Sequence, residues 1–466
     1  MMEAMMVDRD NDNFRNVIEN PCPMCMPLGA ILPFKGIENA MVIIHGSQGC
    51  ATYMRRHIAE HYNEPIDVAS SSISERGAIY GGEDNLKKGL DNLIQLYNPG
   101  IIGILTTCLA ETIGEDVERI SHDYLNERGM AEYPLVPVPT PGYGLSHSEG
   151  YFLALKRIIG RLARPAPAHK KINVITPNLS PADLREIKRI LTLMGAEYAL
   201  CPDLSDTLDS PYSKTYSRIP AGGTPLADIA VMPGAPATIQ FANTLEESIS
   251  PGHYLESTFG VPLFNLPVPI GLEACDIFLD VLHQVTGNQI PDSLLIERGR
   301  LLDAMIDSHK YNAQGRSVIF GEPDLVYALT RTCFENGIKP MVVATGSRNK
   351  NLHRLLTGPN MHWPVDACFL DEADYASIRI HAKEKGANIA IGSSEGRYLT
   401  EREDIPLVRI GFPIHDRVGG QRLLSAGYTG TTMLLDRITN ALLEDQQRHY
   451  RLNMYLSYFS GDLEMR

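Results

Sequence analysis

The chain has no basic excess. Its 42 lysines and arginines face 56 aspartates and glutamates, giving a formal net charge of −14. Nucleic acids and anionic membranes both attract basic surfaces, so this balance argues against either partner. No apolar run approaches the roughly 20 residues that cross a bilayer. The first segment, Met1 to Arg15, is polar and acidic. It lacks the basic-then-apolar order of a secretory leader, and the expected location is cytoplasmic. No complete G-x-G-x-x-G or Walker sequence is present, which argues against ATP on this chain. Cysteine is sparse, 8 in 466 residues. With no sign of secretion, loop thiols suggest metal ligation more than disulfides.

What is present is an alternation of short apolar runs and amphipathic stretches. Met41–Ile44 reads as a strand ending at His45-Gly46. Gly82–Tyr97 reads as a helix, with Leu86, Leu90, Leu93, Ile94 and Tyr97 on one face of a 3.6-residue period. Asn98-Pro99-Gly100 stops it, and Ile101–Leu105 reads as a buried strand. After a linker at Arg164–Ala168 the pattern repeats: a strand at Ile172–Ile175, a helix capped by Ser180, a long loop at Thr207–Pro225 and a strand at Asp228–Met232. A third unit begins near Arg316, with strands at Ser317–Phe320, Met341–Ala344, Asn388–Ile391 and Pro406–Ile410. Strands alternating with helices predict an α/β fold of three doubly wound, Rossmann-like domains, each a parallel sheet flanked by helices. The expected divisions are residues 1–168, 169–305 and 306–466.

Three cysteines occupy loops of small residues. Cys25 opens C-M-P-L-G-A, Cys50 closes H-G-S-Q-G-C, and Cys108 sits in T-T-C-L-A-E-T-I-G-E-D. Cys50 and Cys108 each follow a strand, on the rim where open α/β sheets bind ligands. Iron–sulfur clusters need thiolates arriving from separate loops. On the residues alone, zinc or plain burial stands beside iron–sulfur, because Cys22-Pro23-Met24-Cys25 is also half of a zinc-site pattern. Cys201, Cys275, Cys333 and Cys368 lie in apolar or helical contexts and read as core. His45 and His309 read as structural hydrogen-bonders. Gly46 and Gly49 fit either tight turns or close approach of backbone to a cluster.

The three cysteine segments, in this order, resemble the β chain of nitrogenase component 1. The likeness runs through Glu64-Pro65, Ser70-Ser71-Ser72, Glu75 to Gly82, Glu297 to His309, Gly321-Glu322-Pro323-Asp324, Ile410-Gly411-Phe412-Pro413, Asp416-Arg417 and Gly427-Tyr428. It covers essentially the whole chain. The resemblance implies that Cys25, Cys50 and Cys108 ligate an [8Fe-7S] P-cluster shared with an α-type partner in an (αβ)2 heterotetramer. It implies electrons arriving from a transient, ATP-dependent iron protein and leaving to a FeMo-co-like iron–sulfur cofactor in the partner, so no catalytic residue is expected on this chain. Ser47, Gly49, Tyr53 and Gly142 would surround the cluster. Tyr80, Glu111 and Asp116 would face the iron protein or line the route to the cluster. Glu64, Asp303 and Asp307 would form a divalent-cation site between two β chains.

The departures bear on the subgroup. In the family's β chains a Ser usually follows Thr-Pro beyond the third cysteine; here the stretch is Thr140-Pro141-Gly142-Tyr143. Gly142 cannot ligate. The segment before Cys25 is short beside molybdenum β chains. Gly46-Ser47-Gln48-Gly49-Cys50 also differs from the G-G-Q-G-C of vanadium and iron-only ones. The leading expectation is a nitrogenase-like reductase of the methylthio-alkane reductase type, which cleaves C–S bonds. The alternatives are a dinitrogen-reducing β chain and a scaffold for cofactor assembly. Scaffold chains commonly lack the first and third cysteines, which are retained here.

Overall fold

The computed structural model describes residues 24–358 and 361–459; Cys22 lies outside the described residues. Three parallel sheets organise the chain. The first holds β1 (Ala40–His45), β2 (Ala69–Ser70), β3 (Ile101–Thr106) and β4 (Leu135–Val138) in the order β2-β1-β3-β4. The second holds β5 (Ile172–Ile175), β6 (Tyr198–Cys201), β7 (Thr238–Gln240) and β8 (Leu263–Asn265) in the order β6-β5-β7-β8. The third holds β9 (Arg316–Gly321), β10 (Lys339–Thr345), β11 (Cys368–Leu370), β12 (Ile389–Gly392) and β13 (Leu407–Arg409) in the order β11-β10-β9-β12-β13. Each sheet reverses its winding once, between β1 and β3, between β5 and β7, and between β9 and β12. Ligands of open α/β sheets bind at such switch points, beyond the C-terminal ends of the strands.

The local reasons are visible in the sequence. Every residue of β1 and β3 is buried, as expected of central parallel strands covered by helices on both faces. Helix Glu83–Tyr97 buries Leu86, Leu90 and Leu93, and Asn98 ends it in the left-handed region at φ 45°. Ser180 caps helix Pro181–Leu193 by accepting from the Asp183 N–H. The linker near residue 168 and the loop before Pro225 carry no regular structure.

Two expectations change. Asp228–Met232 is not a strand: Leu226–Val231 is a helical turn, and Met232 begins a 3-10 turn. Pro225 at its N-cap and Asp228 in its first turn favour a helix start over an extended run. The strand beside β5 is Thr238–Gln240 instead. Cys368 lies in a strand and is only half-buried, whereas Cys201, Cys275 and Cys333 are core residues.

The C-terminal ends of all three sheets turn toward one another. Pro177 and Asn178 after β5, Glu322 after β9 and Ser393 after β12 line one internal cavity with His61 and His147. Among the described residues no helix is long and apolar enough to cross a membrane.

Candidate metal centre

The three cysteines reach one place from three helix N-termini. Cys25 is the N-cap of helix Met26–Lys35. Cys50 lies in the first turn of helix Gln48–Tyr62, just beyond β1. Cys108 begins helix Cys108–Thr112, just beyond β3. Cys50 and Cys108 therefore straddle the switch point of the first sheet.

Gly142, after β4, closes the group. Its N–H donates to Cys108 Sγ at 3.1 Å. A Cβ at this position would stand 2.9 Å from Cys25 Sγ and 3.2 Å from Cys108 Sγ, so only glycine fits between these sulfurs as they stand. Ser47 Oγ donates to Cys50 Sγ at 3.5 Å. Cys25 and Ser146 pair through an isolated antiparallel bridge. Burial, then the neighbouring Cys108 and Cys50 thiols, push the Cys25 thiol up. Thiols that oppose one another's ionisation are satisfied together by a bound cation. Among the described residues, no three His, Cys, Asp or Glu side chains group tightly enough for one metal ion.

The family model described as nitrogenase component 1 type oxidoreductase matches residues 25–443. The chain belongs to that family. It is 36% identical to the nitrogenase molybdenum-iron protein beta chain of Methanococcus maripaludis, over 92% of this chain and 95% of the relative. It is 34% identical to the nitrogenase vanadium-iron protein beta chain of Trichormus variabilis, over 96% and 99%. The solved structure titled "Nitrogenase Cp1 at pH 6.5" superimposes with a TM-score of 0.87 at 33% identity, covering 96% of this chain and 98% of that one. The chain is thus a β-chain-like subunit of a nitrogenase-type oxidoreductase.

The remaining residues singled out by the nitrogenase resemblance fall in distinct settings. Tyr53 is 49% exposed and packs edge-on against His57, with ring centroids 4.3 Å apart. Both rings line a cleft beside Cys25 and Gly142. Burial, and then the Cys25 thiol, raise the Tyr53 phenol. Tyr80 ends helix Glu75–Tyr80 and is 82% exposed, with exposed Ile79 beside it. Glu111 accepts from Thr106 Oγ1. Asp116 caps helix Val117–Arg128, accepting from the Arg119 N–H at 3.0 Å, so it has a structural task whatever else it faces. Glu64 accepts from the Ser210 N–H at 2.9 Å, while Asp303 and Asp307 are exposed on helix Asp292–Asn312.

The two glycines of H-G-S-Q-G-C have separate reasons. A Cβ on Gly46 would collide with the Thr107 side chain, so Gly46 lets the loops after β1 and β3 touch. A Cβ on Gly49 would meet nothing closer than Ser47 Oγ at 3.8 Å. His45 is fully buried and structural: its Nδ1 is 3.0 Å from Ser71 Oγ, and its Nε2 3.4 Å from Glu115 Oε2. Sequence reasoning passed over His147 as a neighbour of the centre. The S-H-S-E sequence around it makes a capping box in the structure, a pattern that signals a helix start and not a neighbour of thiols.

Proposed function

We propose that this chain is the electron-relay subunit of a two-component nitrogenase-like reductase. Cys25, Cys50 and Cys108 would supply one half of an [8Fe-7S] P-cluster, and an α-type partner in an (αβ)2 assembly would supply the other. The convergence of Cys25 and Cys108 on Gly142, with Cys50 near enough to act on the Cys25 thiol, each at a helix N-terminus, carries this reading. When bound, such a cluster accepts and passes on electrons. The chain's own residues would hold the thiolates, supply hydrogen bonds from Gly142 N and Ser47 Oγ, and keep Tyr53 and His57 over the cleft. The exposed Ile79–Tyr80 tip, together with Glu111 and Asp116, is the proposed face for the ATP-dependent iron protein. The substrate-reducing FeMo-co-like cofactor would belong to the partner. Glu64, Asp303 and Asp307 are proposed to complete a divalent-cation site only when a second β-type chain adjoins.

For substrate class we propose C–S bond cleavage of the methylthio-alkane reductase type. Gly142 in place of the usual Ser supports it. A second reading, a dinitrogen-reducing β chain, is favoured by the molybdenum-iron and vanadium-iron names of its relatives. The test is anaerobic turnover of the αβ complex with its iron protein and ATP on methylthioethanol, dimethyl sulfide and N2. Hydrocarbon and thiol from the sulfides support C–S cleavage. Ammonia from N2 with inert sulfides supports the second reading instead.

A further inference from the structure

The backbone next to the first thiol is held from across the molecule. The Met24 N–H donates to His147 Nδ1 at 3.2 Å. His147 opens helix His147–Leu162 and is 4% exposed. Its other nitrogen, Nε2, lies 2.7 Å from Glu322 Oε1. Because Nδ1 accepts, the ring proton sits on Nε2; the approach to Glu322 is a close ion-pair contact without hydrogen-bond geometry, and Nε2, like Glu322 Oε2, is buried with no hydrogen-bond partner among the described residues. Glu322 follows β9 at the switch point of the third sheet and is the N-cap residue of helix Pro323–Glu335. Its backbone C=O accepts from the Val326 N–H at 2.8 Å, which fixes where the side chain starts.

The neighbouring residues reinforce the linkage. Ser146 pairs with Cys25 through backbone, so Met24 and Cys25 are both fastened to the start of one helix. The first side chain of that helix is in turn held by another sheet. Glu322 and His147 stand where the cleft beside Cys25 meets the internal cavity; both line both spaces. Glu322 Oε2 is buried there without a hydrogen-bond partner among the described residues. A carboxylate in that position costs desolvation free energy that a purely packing residue would avoid. His147 also touches the Phe412 ring, with centroids 6.3 Å apart, but that contact needs no ring nitrogen.

We propose that Glu322 is a positioning residue: by orienting His147 it fixes the Met24–Cys25 backbone, and so sets the first thiol from the third sheet. The proposal rests on the reading of Cys25 as a cluster ligand. Partners one step removed from a ligand commonly change metal affinity by about 10- to 100-fold.

The test begins on the cluster-free full-length chain. Hydrogen exchange at the Met24 amide is expected to be roughly tenfold faster in Glu322→Leu, and near the parent rate in Glu322→Gln, whose amide oxygen can keep the same close contact with Nε2. In the αβ complex, Glu322→Leu is expected to release iron to a chelator roughly tenfold faster and to shift the cluster's midpoint potential, with Glu322→Gln restoring both. Parent-like Met24 exchange and parent-like iron release in Glu322→Leu would overturn the proposal. Should Glu322→Leu fail to fold, His147→Phe removes the same acceptor, and unchanged Met24 exchange there overturns it equally. Full iron content in Cys25→Ala would instead sink the ligand reading, an outcome distinct from the amide result on the cluster-free chain.

Discussion

Cys50 and Cys275 show how the same residue type divides by environment. Cys275 is buried in helix Leu272–Thr286, its Sγ donating to the Pro269 carbonyl at 3.3 Å, and burial pushes its thiol well up. Such a thiol is inert core. Cys50 is half-buried in the first turn of its helix, with a hydroxyl donor 3.5 Å away. Cys275→Ala is therefore expected to leave the cluster spectrum unchanged and to cost on the order of 1 kcal/mol in unfolding. Cys50→Ala is expected to lose the intact cluster and most activity while folding normally. Electron paramagnetic resonance beside thermal unfolding separates the two. A lost spectrum in Cys275→Ala would mean that the wrong thiols had been assigned.

At the scale of elements, two buried side chains tie the sheets together. His61, at the end of helix Gln48–Tyr62, accepts from the Ile414 N–H at 2.8 Å. Burial pulls its pKa from 6.5 down to about 3. Its folded value lies below its unfolded value, so its contribution is whole above about pH 6.5 and is lost as pH falls toward 3. His61→Gln should flatten the acid limb of a melting-temperature profile between pH 7 and pH 5, and an unchanged slope would contradict this. Asp183 accepts from the Ser425 and Ala426 N–H groups at 2.6 and 2.8 Å, joining the second sheet's helix to the chain before the last helix. Asp183→Ala strands both donors, and a loss of about 2–4 kcal/mol is expected in denaturant unfolding. Asp183→Asn, which keeps an oxygen there, should lose less.

The elements also mark how far the sequence could be read. Met41–Ile44, Ile101–Leu105 and Ile172–Ile175 were legible because central parallel strands are continuous apolar runs. Thr238–Gln240 was not, being short and polar, while the apolar run before it proved helical. The cysteines were legible because thiols carry chemistry at any distance along the chain. The His147–Glu322 contact was not, since only the meeting of two sheets brings those residues together. Nor could the sequence say that Gly46 answers to Thr107, whereas Gly142 answers to two sulfurs.

The whole molecule presents three thiols on the rim of its first sheet, with Cys108 exposed and Tyr53 and Tyr143 uncovered nearby. A cluster shared between chains binds the assembled state and not the separated one, so its binding free energy adds to that of assembly. Stripping iron from the αβ complex with a chelator should lower its melting temperature and promote dissociation, read by light scattering. The decisive measurement is iron per αβ unit after anaerobic co-purification with the α-type partner, with the resting spectrum recorded on the same sample. Roughly eight irons beyond those of the partner's cofactor, with the spectrum of a P-type cluster, are the expected result. About four irons at the shared site would point to the scaffold reading, and none would contradict the account.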